Sequence, residues 1–211
     1  RSHRCSQARC QRSRKALQFW LDHLEDVKAY SEHIMGVEGA YYPWTPPYQD
    51  WEAYEADGVT GPDSYELHSS AYVVAMIRHY YLRTGDREFL AEFLPVIREV
   101  FRFYRNISSL NENGRYDIYH DRARGQDEMS STSGKLKNLI CAGYSAEYCA
   151  RALVEAAEAL GAETDELTDD AQDIARRGVA RATSFRFPRS GAASARMPRV
   201  LRRIAAAVRS R

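Results

Sequence analysis

The chain has 211 residues, 44% of them hydrophobic, with 3 Trp, 14 Tyr and 7 Phe. This is enough apolar material for a real core, while no run approaches 18 apolar residues, which excludes a membrane-spanning helix. The net charge of +1 hides an asymmetry: residues 1–15 hold six basic side chains and no acid, residues 174–211 hold eleven Arg and no acid, and all 29 acidic residues fall in 16–173 beside 13 basic ones.

The ends therefore differ from the middle. Residues 1–15, with almost no apolar content, cannot bury surface and read as a basic, non-packed segment. From about Ser184 the chain is Arg, Ala, Ser, Gly and Pro without acid or Lys. Such a composition is what an out-of-frame reading of GC-rich DNA yields, and both ends are read in this way. The alternative is a disordered tail that binds nucleic acid non-specifically through charge; no specific nucleic-acid partner is expected. The folded part is placed at 16–182, with an Arg-rich tail over 183–211.

From Ala16, the recurrence of Leu17, Trp20, Leu21, Leu24 and Val27 predicts a helix over 16–35, ended by Gly36 and Gly39. An aromatic loop follows, with five aromatics between Tyr41 and Trp51 and three Pro. So many aromatics on such a loop exceed what a core can take. Flat aromatic faces beside amides and carboxylates suit sugar rings, so Tyr42, Trp44 and Trp51 are candidate substrate contacts. The competing reading is a loop stapled to the core by its aromatics.

A second helix is predicted over 65–83, with Leu67, Ala71, Val74, Ile77 and Tyr81 on one stripe and His68 in its first turn. His68 is either a structural hydrogen-bonder or a substrate contact. Thr84-Gly85-Asp86 reads as a stop and restart, with Gly as C-cap and Asp as the next N-cap. A short helix over 87–93 and a third long helix over 95–107, opened by Pro95, follow. Asn111 to Gly114 is a turn, and the β-branched and aromatic run near 115–120 predicts a short strand or hairpin. Helix four is expected over 135–160, closed by Gly161, and helix five over 169–182, capped by Thr168. Cys141 and Cys149, eight residues apart on one helix, lie too far apart to bridge and read as reduced. No Cys or His spacing suits a metal. A cytoplasmic setting is expected, without a membrane partner.

Between strand and helix lies Arg124-Gly125-Gln126-Asp127-Glu128-Met129. Adjacent carboxylates on such a loop are either solvated charges or a general acid aimed into a cleft. The quoted pieces resemble the catalytic domain of glycoside hydrolase family 65: Gly39-Ala-Tyr-Tyr-Pro-Trp44, Glu66-Leu-His68, Tyr80 to Leu90 with its Thr-Gly-Asp, and Gly125-Gln-Asp-Glu-Met129 with Lys137-Asn138 downstream. The family motif is Gly-Pro-Asp-Glu-Tyr, whose Glu is the general acid. The resemblance thus implies Glu128 as catalytic acid and Asp127 as its neighbour, with Gln126 and Met129 as departures. A second stretch, Gly61-Pro-Asp-Ser-Tyr65, has Ser where the acid belongs and is set aside.

The resemblance implies an all-α fold, helical hairpins forming part of an (α/α)6 barrel. It also implies an inverting hydrolase or phosphorylase acting on an α-glycosidic bond of a disaccharide or oligosaccharide. No cofactor is implied beyond inorganic phosphate as co-substrate if the enzyme is a phosphorylase. Apolar walls and the neighbouring Asp127 would keep Glu128 protonated near neutral pH. Such a barrel needs about twelve helices and this chain supplies about half, so activity is expected of the parent enzyme. The alternative is a non-catalytic helical binding or scaffold module.

Overall fold

The computed structural model describes residues 7–44, 66–121 and 137–180, all within one compact unit, with side chains described from residue 11 onward. The candidates Trp51, Asp127 and Glu128, and the Gly61–Tyr65 motif, lie outside the described residues. Among the described residues the elements are α1 (Gln7–Asp22), α2 (Leu24–Met35), α3 (Ser69–Thr84), α4 (Arg87–Asn106), β1 (Ser108–Leu110), β2 (Tyr116–Ile118), α5 (Ile140–Leu160) and α6 (Glu166–Arg177).

The helix α4 is the centre of the packing. Its stripe Phe89, Phe93, Val96, Ile97, Val100, Phe101 and Tyr104 is buried against α3, α5 and α6. Only Gly85 and Asp86 separate α3 from α4, so the two form an antiparallel hairpin. Gly85 takes φ 69, where a Cβ is unfavourable, and returns its N–H to Tyr81 O at 2.7 Å. Asp86 then accepts from Phe89 N at 2.9 Å and starts α4. This stop and restart is as the sequence predicts. Pro95, however, lies inside one continuous helix instead of between two. It and Ala91, whose carbonyl loses its helical donor, are both exposed, so water can take up the lost bond.

Helix–helix ion pairs surround the core. Arg78 is bidentate on Glu155, at 2.6 and 3.0 Å, linking α3 to α5. Arg98 pairs with Asp165, and Arg105 with Asp170 at 2.7 Å, linking α4 to the start of α6.

Several boundaries differ from expectation, among them the second helix, which starts at Ser69, and the fifth, which ends at Arg177. The first helix begins at Gln7, inside the segment expected not to pack. Arg14 pairs with Glu92 and, at 3.5 Å, with Asp86, and lies 5.7 Å over the Phe89 ring. Its guanidinium finds carboxylates on α4, and its Gln, Arg, Ala and Lys neighbours are good helix formers. The helix expected over 16–35 is broken at His23. Helix four starts at Ile140, because Asn138 takes φ 58 and gives its backbone N–H to Ile118 O at 2.9 Å. Helix five starts at Glu166, and its cap is Asp165, which accepts from Thr168 N at 3.0 Å.

The hairpin is present as expected. Strand β1 pairs antiparallel with β2 in the register Ser108↔Ile118 and Leu110↔Tyr116. Asn111 shapes the turn, its Oδ1 accepting from the N–H groups of Asn113 and Arg115. The chain after α6 adds to the far side of β2, where Tyr116 N donates to Gly178 O and Ala180 N donates to Tyr116 O.

Candidate active site

The ends of several helices meet on one side of the molecule. The carbonyl of Met35, the last residue of α2, accepts from His120 Nε2 at 2.8 Å. Asn106, the last residue of α4, donates to Glu38 O at 3.1 Å. Tyr104 donates to Leu67 O, just ahead of α3. The N–H of Asn138 on Ile118 O brings the start of α5 to the same side. Trp44 and Glu66 flank residues 45–65, which carry Trp51, and Asp121 and Lys137 flank residues 122–136, which carry Asp127 and Glu128; the two segments lie outside the described residues.

The chain from Gly39 to Trp44 is laid directly on α4. Ala40 N donates to Glu99 O at 2.8 Å, and Gly39 has φ 111. A Cβ at Gly39 would stand 2.3 Å from Phe103 N and 2.7 Å from Glu99 O, so only Gly permits this approach. Hydroxyls then tie the segment to α3: Tyr42 N donates to Ser70 Oγ at 2.8 Å, and Ser69 Oγ donates to Tyr42 O at 2.7 Å.

This anchoring corrects one candidate. Tyr42 is 1% exposed, its ring is edge-on to Trp20 at 5.2 Å, and its hydroxyl donates to Trp20 O at 2.6 Å. Burial pushes its phenol pKa far up. Tyr42 is a core residue that staples the loop, not a substrate contact. Tyr41 behaves likewise, stacked on Phe103 and donating to Glu66 O.

Trp44 is different, with 48% of its surface exposed. It lies 5.9 Å from the His68 ring and 6.1 Å from the Tyr72 ring, and Tyr72 is equally exposed. Tyr72 stands at 88° to His68. Two half-exposed aromatic walls thus meet over a buried imidazole, an open corner whose faces suit the C–H face of a sugar ring. His68 is buried beside Glu66, with Nε2 and Oε2 3.5 Å apart, and burial lowers its pKa. Burial thus favours the neutral ring.

Sequence reasoning missed two members of this corner. Tyr72 lies one helical turn after His68, a spacing that places both on one edge of α3. Glu66 carries its own signal, a carboxylate two residues before a candidate His.

A second cluster holds the base of the 122–136 segment. The Asp117 carboxylate accepts from Asn138 Nδ2 at 2.9 Å and Asn111 Nδ2 at 3.0 Å, with Lys137 Nζ at 3.7 Å. The Asn138 bond, followed by that of Asn111, holds the Asp117 pKa below the usual carboxylate range. Asn138 Oδ1 also accepts from Ile118 N at 2.8 Å. Among the described residues no group of His, Cys, Asp and Glu is arranged to hold a metal ion. No described helix is long and apolar enough to cross a membrane.

The sequence profile of the glycosyl hydrolase family 65 central catalytic domain matches residues 5–186. The chain belongs to glycosyl hydrolase family 65. A curated relative, a kojibiose hydrolase of Flavobacterium johnsoniae, is 31% identical over 113 residues, which are 50% of this chain and 16% of that protein. A solved structure, a putative kojibiose phosphorylase from the human microbiome, aligns with TM-score 0.61 at 16% identity, covering 81% of this chain and 24% of the other. The chain therefore spans about a sixth of the length of that curated relative and about a quarter of the solved one. The helical hairpins are part of the family 65 (α/α)6 barrel. The family match begins at residue 5, inside the basic segment, in agreement with the early start of α1.

Proposed function

We infer that this chain is part of an inverting glycoside hydrolase or phosphorylase that cleaves an α-glucosidic disaccharide. The observation that carries this reading is the open corner of Trp44, Tyr72 and His68 in a chain whose family 65 match runs over residues 5–186. The names of the two relatives point to kojibiose or a similar disaccharide as substrate.

In this reading Glu128 protonates the leaving oxygen, with Asp127 beside it. Water or inorganic phosphate attacks the anomeric carbon from the opposite face. Phosphate would be a co-substrate, and no other cofactor is invoked. Trp44 stacks on the sugar while His68 and Trp51 contribute contacts at its edges. The groups that hold the nucleophile are to be sought in the remainder of the parent enzyme. A cytoplasmic setting belongs to this reading.

The test is Glu128→Gln in the full-length parent enzyme. On a natural disaccharide, whose leaving group is poor, turnover should fall by roughly 10²–10⁴-fold. On an activated aryl glycoside, whose leaving group needs no proton, the loss should be much smaller. Equal losses on both substrates would remove Glu128 from the acid role.

A further inference from the structure

We propose that Glu66 is a positioning residue: it fixes His68 as the Nε2–H tautomer and thereby keeps Nδ1 as an acceptor for a hydroxyl of the sugar seated on Trp44. The proposal rests on the aromatic corner being a sugar site.

The geometry leaves few choices for the imidazole. Both side chains are buried, and Glu66 Oε2 stands 3.5 Å from His68 Nε2. His68 is the N-cap residue of α3, yet its side chain makes no capping bond, so the helix does not use the ring. Nδ1 is buried and has no hydrogen-bond partner among the described residues. The surrounding backbone is held in place: Tyr41 Oη donates to Glu66 O, and Tyr104 donates to Leu67 O.

Two neutral arrangements fit this frame. In one, Nε2 carries the proton and faces the Glu66 carboxylate, while Nδ1 is a lone-pair acceptor. In the other, a protonated Glu66 donates to Nε2 and Nδ1 carries the proton. The second strands a buried N–H, and orphaned donors are rarer in folded proteins than under-satisfied acceptors. The doubly protonated ring is opposed by burial and by the positive end of α3. The first arrangement therefore holds, and it leaves one acceptor in want of a donor. A sugar hydroxyl supplies that donor, and its ring carbons supply the apolar face that Trp44 and Tyr72 present. Nδ1 is covered in the free protein, so its engagement by a hydroxyl requires the side chains over it to move.

The experiment is a long-range ¹H–¹⁵N imidazole spectrum of the full-length parent enzyme, ¹⁵N-labelled at His and Trp, with His68 assigned by the signal lost in His68→Gln. The expected result is the Nε2–H pattern at neutral pH. Adding kojibiose should move both the Trp44 indole signal and the His68 Nδ1 signal, the latter upfield. Glu66→Gln can accept or donate at Nε2, so it should populate both tautomers and weaken kojibiose binding roughly 2–10-fold, the worth of one neutral hydrogen bond. An Nδ1–H pattern in the wild type overturns the proposal. So does a moving Trp44 signal with a stationary Nδ1, which leaves the sugar site standing. If neither signal moves, the sugar site itself falls and the proposal falls with it.

Discussion

Residues 42 and 44 stand two apart on one loop and have opposite fates. Tyr42 spends its hydroxyl on Trp20 O, 22 residues away in sequence, whereas Trp44 has no such anchor and remains half exposed. Aromatic density alone pointed to both as sugar contacts. What separates them is a long-range backbone acceptor, which no local pattern reveals. Trp44→Ala should therefore weaken sugar binding and leave the melting temperature within a degree or two, since it removes a stacking face and little core. Calorimetric titration beside a thermal scan of the same variant checks both halves. Asp165 gives a second residue-level expectation. Its pKa is held far below the carboxylate range, first by Arg98 and then by Thr168. A depressed carboxylate stabilises the fold above its unfolded-state pKa of about 4, and that stability is lost as pH falls through the lower folded value. Asp165→Asn keeps a competent cap but loses the ion pair. At pH 7 it should cost less than about 1 kcal/mol, because both partners are partly exposed. The difference from wild type should shrink as urea midpoints are measured at progressively lower pH below about 4.

At the scale of elements, the long periodic stretches were legible. The stripe of α4, the Gly85-Asp86 junction, the hairpin near 115–120 and the Gly161 stop all follow from spacing and cap chemistry. Junctions set by distant partners were not. Asn138 leaves the helix because Ile118 and Asp117 claim its backbone and side chain, and Arg14 is drawn into a helix by carboxylates on α4. The loop carrying Trp44 depends on one such junction. Gly39→Ala forces a Cβ into the backbone of α4, where nothing flexible can yield. It should destabilise by several kcal/mol, with overpacking and left-handed strain acting together. A fold with an unchanged urea midpoint would show that the segment does not lie on α4.

At the scale of the whole chain, exposed apolar side chains stand on two helices that pack together: Tyr72, Met76 and Leu82 on α3, and Ile140 and Tyr144 on α5. Together with the short span relative to the solved relative, this suggests helix faces made to be covered. The chain expressed by itself should self-associate or bind a hydrophobic dye, and Ile140→Lys with Tyr144→Lys should reduce both. A dilute, dye-silent monomer with a sharp cooperative melt would contradict this. The catalytic assignment, by contrast, came from resemblance: Asp127 and Glu128 carry it, and spacing alone left them as ordinary solvated charges.

The contact of Gly39 and Ala40 with α4 also has a kinetic meaning. The amide of Ala40 shares its acceptor, Glu99 O, with the helix that forms the centre of the core. This amide reaches water only when the segment lifts off α4, which must also pull the buried Tyr41 and Tyr42 out of the core. The stem of the aromatic corner should therefore exchange far more slowly than an ordinary loop. A ligand held by Trp44 would gain little from ordering that stem, because folding has already ordered it.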